Sequence, residues 1–457
     1  MRPPRTTPGV LLIVVLLAFG VLWANSSDSS EDVRAAQDSA AEERRAAREL
    51  KRAERKRIQE ERAAERLERT ARTALKAERA KLGQPVPMDE ELLEALSELG
   101  YAEWVSTDKP DVVGVTVHDR ERAWEGLNLF KAASTVETFL MDMDGRVVHT
   151  WRAPGGEDGS WKIAELQPGG RMIALVEWKR LEVVDWDSTP IWSTDVSGHH
   201  DLDVDETGRI FVLTDDVREI PIGDEVVLIR DNGIAIFSPD GELLDELWLS
   251  TLFADRITER SLRRAVEHVA DQPGHDHKRD QELDVFHANT LELLPRDVPG
   301  LGSKGQVLVS IRNLDLIAVL DLDEPRVVWS WGPGVLQGQH QPALLENDNL
   351  LVFDNGSERW WSRVVEVDPR RNEIVWEYHG DPVDTFYSRT RGGSEQLPNG
   401  NVLVTESNLG RVFEVTREGE TVWEFMNPLV ENDMRGTIYR FTRLSEEMRA
   451  SLPLEDR

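Results

Sequence analysis

One pattern recurs down this chain and limits its fold more than any other. It is an apolar strand, a turn rich in Asp, Asn and Gly, two further apolar strands, and a short segment closing on tryptophan. The clearest copy is residues 396–428, where LPNGNVLVTES is followed by GRVFEVTREGETVWEF. There GNVLVTE alternates, Pro398-Asn399-Gly400 makes a tight turn, and Arg417-Glu418-Gly419 reverses the chain into TVWEF. Similar units run from Gly126 to Trp151 and from Trp161 to Trp192. Three more begin at His200, His287 and His340 and close near Trp248, Trp331 and Trp376. Copies spaced by roughly 35 to 55 residues, with one interval lengthened by an insertion, suit propeller blades of three or four strands, about six in all.

The fold this implies is all-β: a six-bladed β-propeller preceded by an N-terminal transmembrane anchor and a long charged α-helix. An unpaired edge strand invites aggregation. VVGVTVH (112–118), ahead of the first unit, and GTIYRFT (436–442), after the last, are therefore expected to pair into one blade. The closing tryptophans Trp151, Trp192, Trp329, Trp376 and Trp423 read as packing between blades, not as chemistry.

Residues 1–30 read as the anchor, 31–110 as a charged helical stalk with a short amphipathic helix, 111–445 as the propeller and 446–457 as a tail. Arg2 and Arg5 precede the apolar run Val10 to Ala24, and the next charges, Asp28, Glu31 and Asp32, are acidic. Because Leu22 and Trp23 make a poor cleavage site, the run reads as an uncleaved single-pass anchor. Its positive flank stays inside, so the propeller is expected on the periplasmic or extracellular side of the cell membrane. Residues 31–81 are rich in Ala, Arg, Glu, Lys and Leu without sustained apolar heptads. Either a lone helix held by ion pairs or a coiled coil that self-associates fits them.

Composition narrows the chemistry. With 85 acidic against 54 basic residues and a net charge of −31, nucleic acid is a poor partner. The chain has no cysteine, which excludes disulfides, thiolate nucleophiles, thiolate zinc sites and formylglycine made from cysteine.

The histidines at the heads of three units converge if those units are blades, because the first strand of each blade lines the central channel. His200 and His340 each lie eight residues ahead of the turn residues Gly208 and Asp348. His287 and Asn289, two apart on one strand, point the same way. Arg312 ends the following strand and is within reach of the same mouth. Any one such histidine can simply bond a neighbouring blade's backbone. Three with an arginine and an asparagine suit an anionic substrate, which the acidic protein would otherwise repel.

Four stretches carry a family resemblance: DVFHANTLELLP, GQVLVSIRNLDLIAVLD, GQHQPALLENDNLLVFDNG with SRVVEVD, and GHHDLDVDETGRIF. Together they make residues 111–442 resemble the bacterial arylsulfate sulfotransferases, six-bladed periplasmic propellers. The resemblance implies that a sulfuryl group moves from a phenolic sulfate ester to a phenol-like acceptor, without a nucleotide sulfate donor, through a transiently sulfurylated histidine. His340 stands at the position of that histidine. His287, Asn289 and Arg312 stand where sulfuryl oxygens are held, and His200 resembles a further active-site histidine, with His199 beside it leaving the register open by one. Arg363, in SRVVEVD, either lines the channel or bridges blades. Neutral imidazole is a good nucleophile near neutral pH, so neither a metal nor another cofactor is called for.

The chain departs from the family's well-known members, which carry a β-rich N-terminal domain and a cysteine pair. The insertion at residues 250–284 contains GHDHKRDQELD. Its His275 and His277 read as solvated loop residues, and the insertion as a lid over the channel. The rival class is a non-catalytic, quinoprotein-like propeller acting as an envelope binding scaffold. Convergence of His200, His287, Asn289, Arg312 and His340 separates the two.

Overall fold

The computed structural model describes residues 103–454 except 133–134, 223–224, 259–260, 263–264 and 266–282. The expected anchor, the stalk up to residue 102, most of the proposed lid and the His275/His277 pair lie outside the described residues. Among the described residues no helix is long and apolar enough to cross a membrane. The chain divides into residues 1–87 and 88–457, and the described residues all lie in the second unit.

The protein is all-β. Among the described residues the first strand, Trp104–Ser106, lies in a small sheet with Val430–Glu431 and Met434–Gly436. Six larger antiparallel sheets follow. From innermost strand outward, sheet I is Ile438–Arg443, Asn128–Ala132, Glu137–Met141 and Val147–Arg152. Sheet II is Ile163–Leu166, Met172–Val176, Arg180–Val184 and Pro190–Asp195. Sheet III is Gly198–Val204, Ile210–Ile222, Glu225–Phe237 and Leu243–Trp248. Sheet IV is Ala288–Leu293, Val307–Ile311, Leu316–Asp321 and Arg326–Trp331. Sheet V is His340–Leu344, Leu350–Asp354, Arg363–Asp368 and Glu373–His379. Sheet VI is Gly393–Gln396, Val402–Glu406, Arg411–Val415 and Thr421–Met426, with Gly114–His118 added outside.

The apolar pattern explains this order. Second strands such as Val307–Ile311 and Leu350–Asp354 are buried at every position, as a strand covered on both faces requires. The outermost strand Glu373–His379 alternates exposed and half-buried residues, because one of its faces meets solvent. Six apolar clusters join neighbouring sheets, for example Leu213 and Ile234 with Val309 and Ala318 between III and IV. The cluster of Val412 and Trp423 with Phe130 and Phe441 returns from VI to I and closes a propeller-like ring.

All five closing tryptophans reach the next sheet. Four indole N–H groups donate to its turns: Trp151 to the Gly170 carbonyl (3.2 Å), Trp329 to Asn372 (3.1 Å), Trp376 to the Arg417 carbonyl (3.0 Å) and Trp423 to the Met143 carbonyl (3.0 Å). Trp192 instead packs so closely on Gly241 that an added Cβ there would lie 2.8 Å from its ring. A large ring thus fills each of these seams, and in four of them its polar handle satisfies a turn at the same time.

The closure differs from the expectation. The two terminal segments do not pair with each other. Ile438–Arg443 pairs with Asn128–Ala132 and supplies the inner strand of sheet I, whereas Gly114–His118 covers the outer edge of sheet VI. Each terminus thereby completes the sheet belonging to the other end of the chain, and both the inner and the outer vacancy are filled.

Candidate active site

The inner strands of sheets III, IV and V shift register near their starts, between Gly198 and Leu202, Ala288 and Thr290, and His340 and Ala343. A residue with left-handed backbone accompanies each shift: His200 (φ 57°), His287 (φ 49°) and Gln341 (φ 44°). Extra residues in one strand bend it and redirect its side chains. This repeated irregularity is the local device that sets where the histidines point.

His200 and His287 meet edge to face, with ring centroids 4.9 Å apart. His199 turns into its own sheet, where Nε2 contacts the Thr214 carbonyl at 3.0 Å and Asn232 at 3.3 Å. Nε2 thus faces both an acceptor, the Thr214 carbonyl, and a donor, Nδ2 of Asn232, whose Oδ1 is taken by the Ala288 amide, while Nδ1 lies 2.8 Å from His200 Nδ1. Burial holds the His200 pKa well below the usual imidazole value, with His287, His199, Lys162 and His340 adding to the effect, so the ring is neutral.

His287 is clamped by Asp284, whose carboxylate takes Nδ1 at 2.5 Å and the His287 amide at 3.0 Å. Arg312 lies in a short turn, Arg312–Leu314, after the second strand of sheet IV. Its amide donates to the His287 carbonyl at 3.2 Å, and its Nη1 donates to Asn313 at 3.0 Å. Asn289 is buried and donates to the Gln339 carbonyl at 2.9 Å, tying the His287 strand to the residue preceding His340.

His340 is the most completely specified of these groups. Its Nδ1 lies 2.7 Å from Asn355 Oδ1 and 3.1 Å from the Gly338 carbonyl. The Asn355 amide cannot be flipped, because its Nδ2 already donates to the Ser388 and Arg391 carbonyls at 2.7 and 2.6 Å. Two acceptors therefore face Nδ1, which must carry the hydrogen, and the lone pair is on Nε2. There the Arg391 amide approaches at 3.2 Å. Burial, reinforced by the Arg312 guanidinium, pushes the His340 pKa down to about 3.

Four sequence-derived residues, His200, His287, Asn289 and Arg312, are thus linked through two neighbouring sheets, and the Asn289 bond leads on to His340. Arg363 is held elsewhere in sheet V, by Asp354 (2.8 Å), Glu377 (2.8 Å) and the Val335 carbonyl (3.0 Å).

The family model of arylsulfotransferases (ASST) matches residues 169–428, more than half of the chain and all of the histidines just described. The chain belongs to the arylsulfotransferase family. No curated protein matches it. Among solved structures, a Bacteroides caccae protein of unknown function is 12% identical with a TM-score of 0.44, covering 71% of this chain and 100% of its own. A streptogramin B lyase is 10% identical with a TM-score of 0.41, covering 75% and 97%. The Dos1 propeller is 10% identical with a TM-score of 0.36, covering 70% and 77%. Likenesses this remote add nothing to the family assignment.

Several residues of this arylsulfotransferase family member were not foreseen from sequence. Asp284 and Asn355 orient two of the histidines. Tyr439, on the inner strand of sheet I, donates its hydroxyl to the His200 carbonyl at 3.0 Å. Arg440 beside it pairs with the buried Asp201 at 2.9 Å. Further along the inner strands, carboxylates lace sheet to sheet by accepting edge amides: Asp201 from Leu291 (3.1 Å), Asp203 from Leu293 (2.6 Å) and Glu292 from Leu344 (2.9 Å). An inner strand has one unpaired edge, so its amides need such partners. Burial raises the Glu292 and Glu165 pKa values to about 8 and that of Asp203 to about 6.

Proposed function

We propose that this protein is a nucleotide-independent sulfotransferase that passes a sulfuryl group from a phenolic sulfate ester to a phenol-like acceptor through sulfurylated His340. The observation carrying this reading is the fixed tautomer of His340: Nδ1 is spoken for by two acceptors, and the Nε2 lone pair of a neutral, buried imidazole is the nucleophile. The six sheets are, in this reading, the blades of a six-bladed propeller.

In the first half-reaction Nε2 moves off the Arg391 amide and attacks sulfur. The sulfur–oxygen bond to the aryl group breaks and phenolate departs with the electron pair, a fair leaving group because phenol has a pKa of about 10. Arg312 supplies fixed charge for the sulfuryl oxygens, and His287 and Asn289 supply hydrogen-bond donors. In the second half-reaction the neutral His200 takes the proton of the acceptor phenol. The acceptor oxygen then attacks sulfur, and the electron pair of the nitrogen–sulfur bond returns to Nε2.

The basic flank and apolar run at residues 2–24 favour an uncleaved anchor, with the catalytic unit outside the cytoplasmic membrane.

Incubation with an aryl sulfate and no acceptor is expected to add the mass of SO3, about 80 Da, to the peptide containing His340. The His340→Ala variant is expected to show neither adduct nor turnover. An unmodified wild-type protein, or an active His340→Ala variant, overturns the reading.

A further inference from the structure

Asn355 occupies an unusual position for an asparagine. It is fully buried, and each of its polar side-chain atoms has a fixed partner. Oδ1 faces His340 Nδ1, and Nδ2 is shared between the Ser388 and Arg391 carbonyls. Ser362 closes the set, its hydroxyl donating to the Asn355 carbonyl at 2.9 Å and accepting the Ser388 amide at 2.9 Å. The second acceptor on His340 Nδ1, the Gly338 carbonyl, is also neutral. His287 is built differently, since its Nδ1 faces the Asp284 carboxylate. Two histidines in one site therefore have opposite kinds of partner.

The difference has a chemical consequence. When Nε2 takes up a sulfuryl group while Nδ1 keeps its hydrogen, the ring becomes an N-sulfo-imidazolium. Its positive charge weakens the nitrogen–sulfur bond and makes the ring a good leaving group. A carboxylate at Nδ1 would stabilise that cation or draw off its proton, and charge-assisted hydrogen bonds are roughly twice as strong as neutral ones. A neutral acceptor fixes the tautomer without doing either.

We infer that Asn355 is a positioning residue whose neutrality, and not only its hydrogen bond, keeps the sulfuryl group on His340 labile enough to be passed on. This rests on the sulfohistidine reading above. Asn355 touches neither donor nor acceptor and acts through the ring. Atoms and charges balance with no further reactant: the donor ester loses its sulfuryl group to Nε2, and the acceptor oxygen later removes it as the electron pair returns to the ring.

The test is the Asn355→Asp variant, followed by the lifetime of the His340 adduct after a pulse of aryl sulfate and a chase of phenol. Facing two carbonyls, the new carboxyl is neutral at low pH and ionises as pH rises. Adduct lifetime in the variant is expected to match wild type near pH 5 and to lengthen by about ten-fold or more toward pH 9, where one ionised acceptor replaces a neutral one. In steady state kcat and the donor KM should fall together at high pH while kcat/KM for the donor is retained. A purely structural role would not produce that split. The low-pH arm also reports on folding.

Asn355→Ala gives a second arm that does not depend on the new acid. The Gly338 carbonyl remains as a neutral acceptor, so adduct formation should slow without any lengthening of its lifetime. A wild-type lifetime for the aspartate variant at every pH overturns the inference, as does an alanine variant whose adduct lasts as long as that of the ionised aspartate. Should the wild-type protein form no adduct, it is the sulfohistidine reading that fails.

Discussion

Asp284 Oδ2 lies 2.5 Å from His287 Nδ1, and the other oxygen of the same carboxylate accepts the His287 backbone amide at 3.0 Å. One side chain thus fixes both the left-handed backbone at His287 and the orientation of its ring. An asparagine in its place would turn an N–H group toward one of these two donors. Asp284→Asn is expected to lower kcat/KM for an aryl sulfate by about 10- to 100-fold, the range set by a lost hydrogen bond to a charged group. Unchanged kinetics would remove Asp284 from the site's working parts.

His340 also makes a pH prediction. An isolated imidazole loses its nucleophilic lone pair to a proton near pH 6.5. Burial and Arg312 push this one down to about 3, so the neutral form persists well into acid. Single-turnover formation of the His340 adduct should therefore show no imidazole-like decline between about pH 8 and pH 4.5. A rate of adduct formation that halves near pH 6.5 would show that His340 is not desolvated as described.

The repeat made the candidate cluster legible as a pattern. His200, His287 and His340 stand at matching places in matching units, and matching places in a ring of sheets point at one axis. Of the residues that were not read, Asn355, Tyr439 and Arg440 depend on contacts distant in sequence, whereas Asp284 acts on a residue three positions away. Asn355 sat in plain view in LLVFDNG, but its role is set by Ser388 and Arg391, more than 30 residues on. Asp284 ends the run DQELD, where nothing in the sequence names its partner until the His287 backbone folds back onto it. Tyr439 and Arg440 belong to the last strand, which lines sheet I only because the ring closes through it. That closure depends on pairing between Ile438 and Ala132, about 300 residues apart, and local pattern does not choose between inner and outer edge.

The laced carboxylates predict a stability effect with a definite sign. Glu292 has its pKa raised to about 8, mainly by burial, from a usual value near 4.5. Between those values the folded protein holds a proton that the unfolded chain has released, so stability is lost as pH rises through the window. Glu292→Gln resembles the protonated side chain and keeps an acceptor for the Leu344 amide. Relative to wild type, its Tm should be nearly unchanged at about pH 5 and higher by on the order of 2 °C toward pH 9. A difference that stays constant across this range would mean that Glu292 does not hold its proton in the fold.

The seam between sheets VI and I bears the cost of ring closure, and Trp423 is its largest fully buried side chain. The indole donates to the Met143 carbonyl at 3.0 Å, stacks with Phe425 at 6.1 Å, and lies beneath the Arg443 guanidinium at 4.8 Å. Arg443 is itself buried and ion-paired with Glu414, so the ring packs against a charge that has left water. Trp423→Ala removes the packing and leaves the Met143 carbonyl without this donor, at a cost of about 3–5 kcal/mol. Trp423→Phe retains much of the volume and should lose less. Because Ile438–Arg443 joins sheet I and Gly114–His118 joins sheet VI across this seam, the alanine variant should also open sheet I before the rest. Hydrogen exchange should therefore lose protection at Asn128–Ala132 and Ile438–Arg443 while Val307–Ile311, on the far side of the ring, keeps it. Uniform loss of protection across all six sheets would mean that the ring unfolds as one unit and that this seam is no weaker than the others.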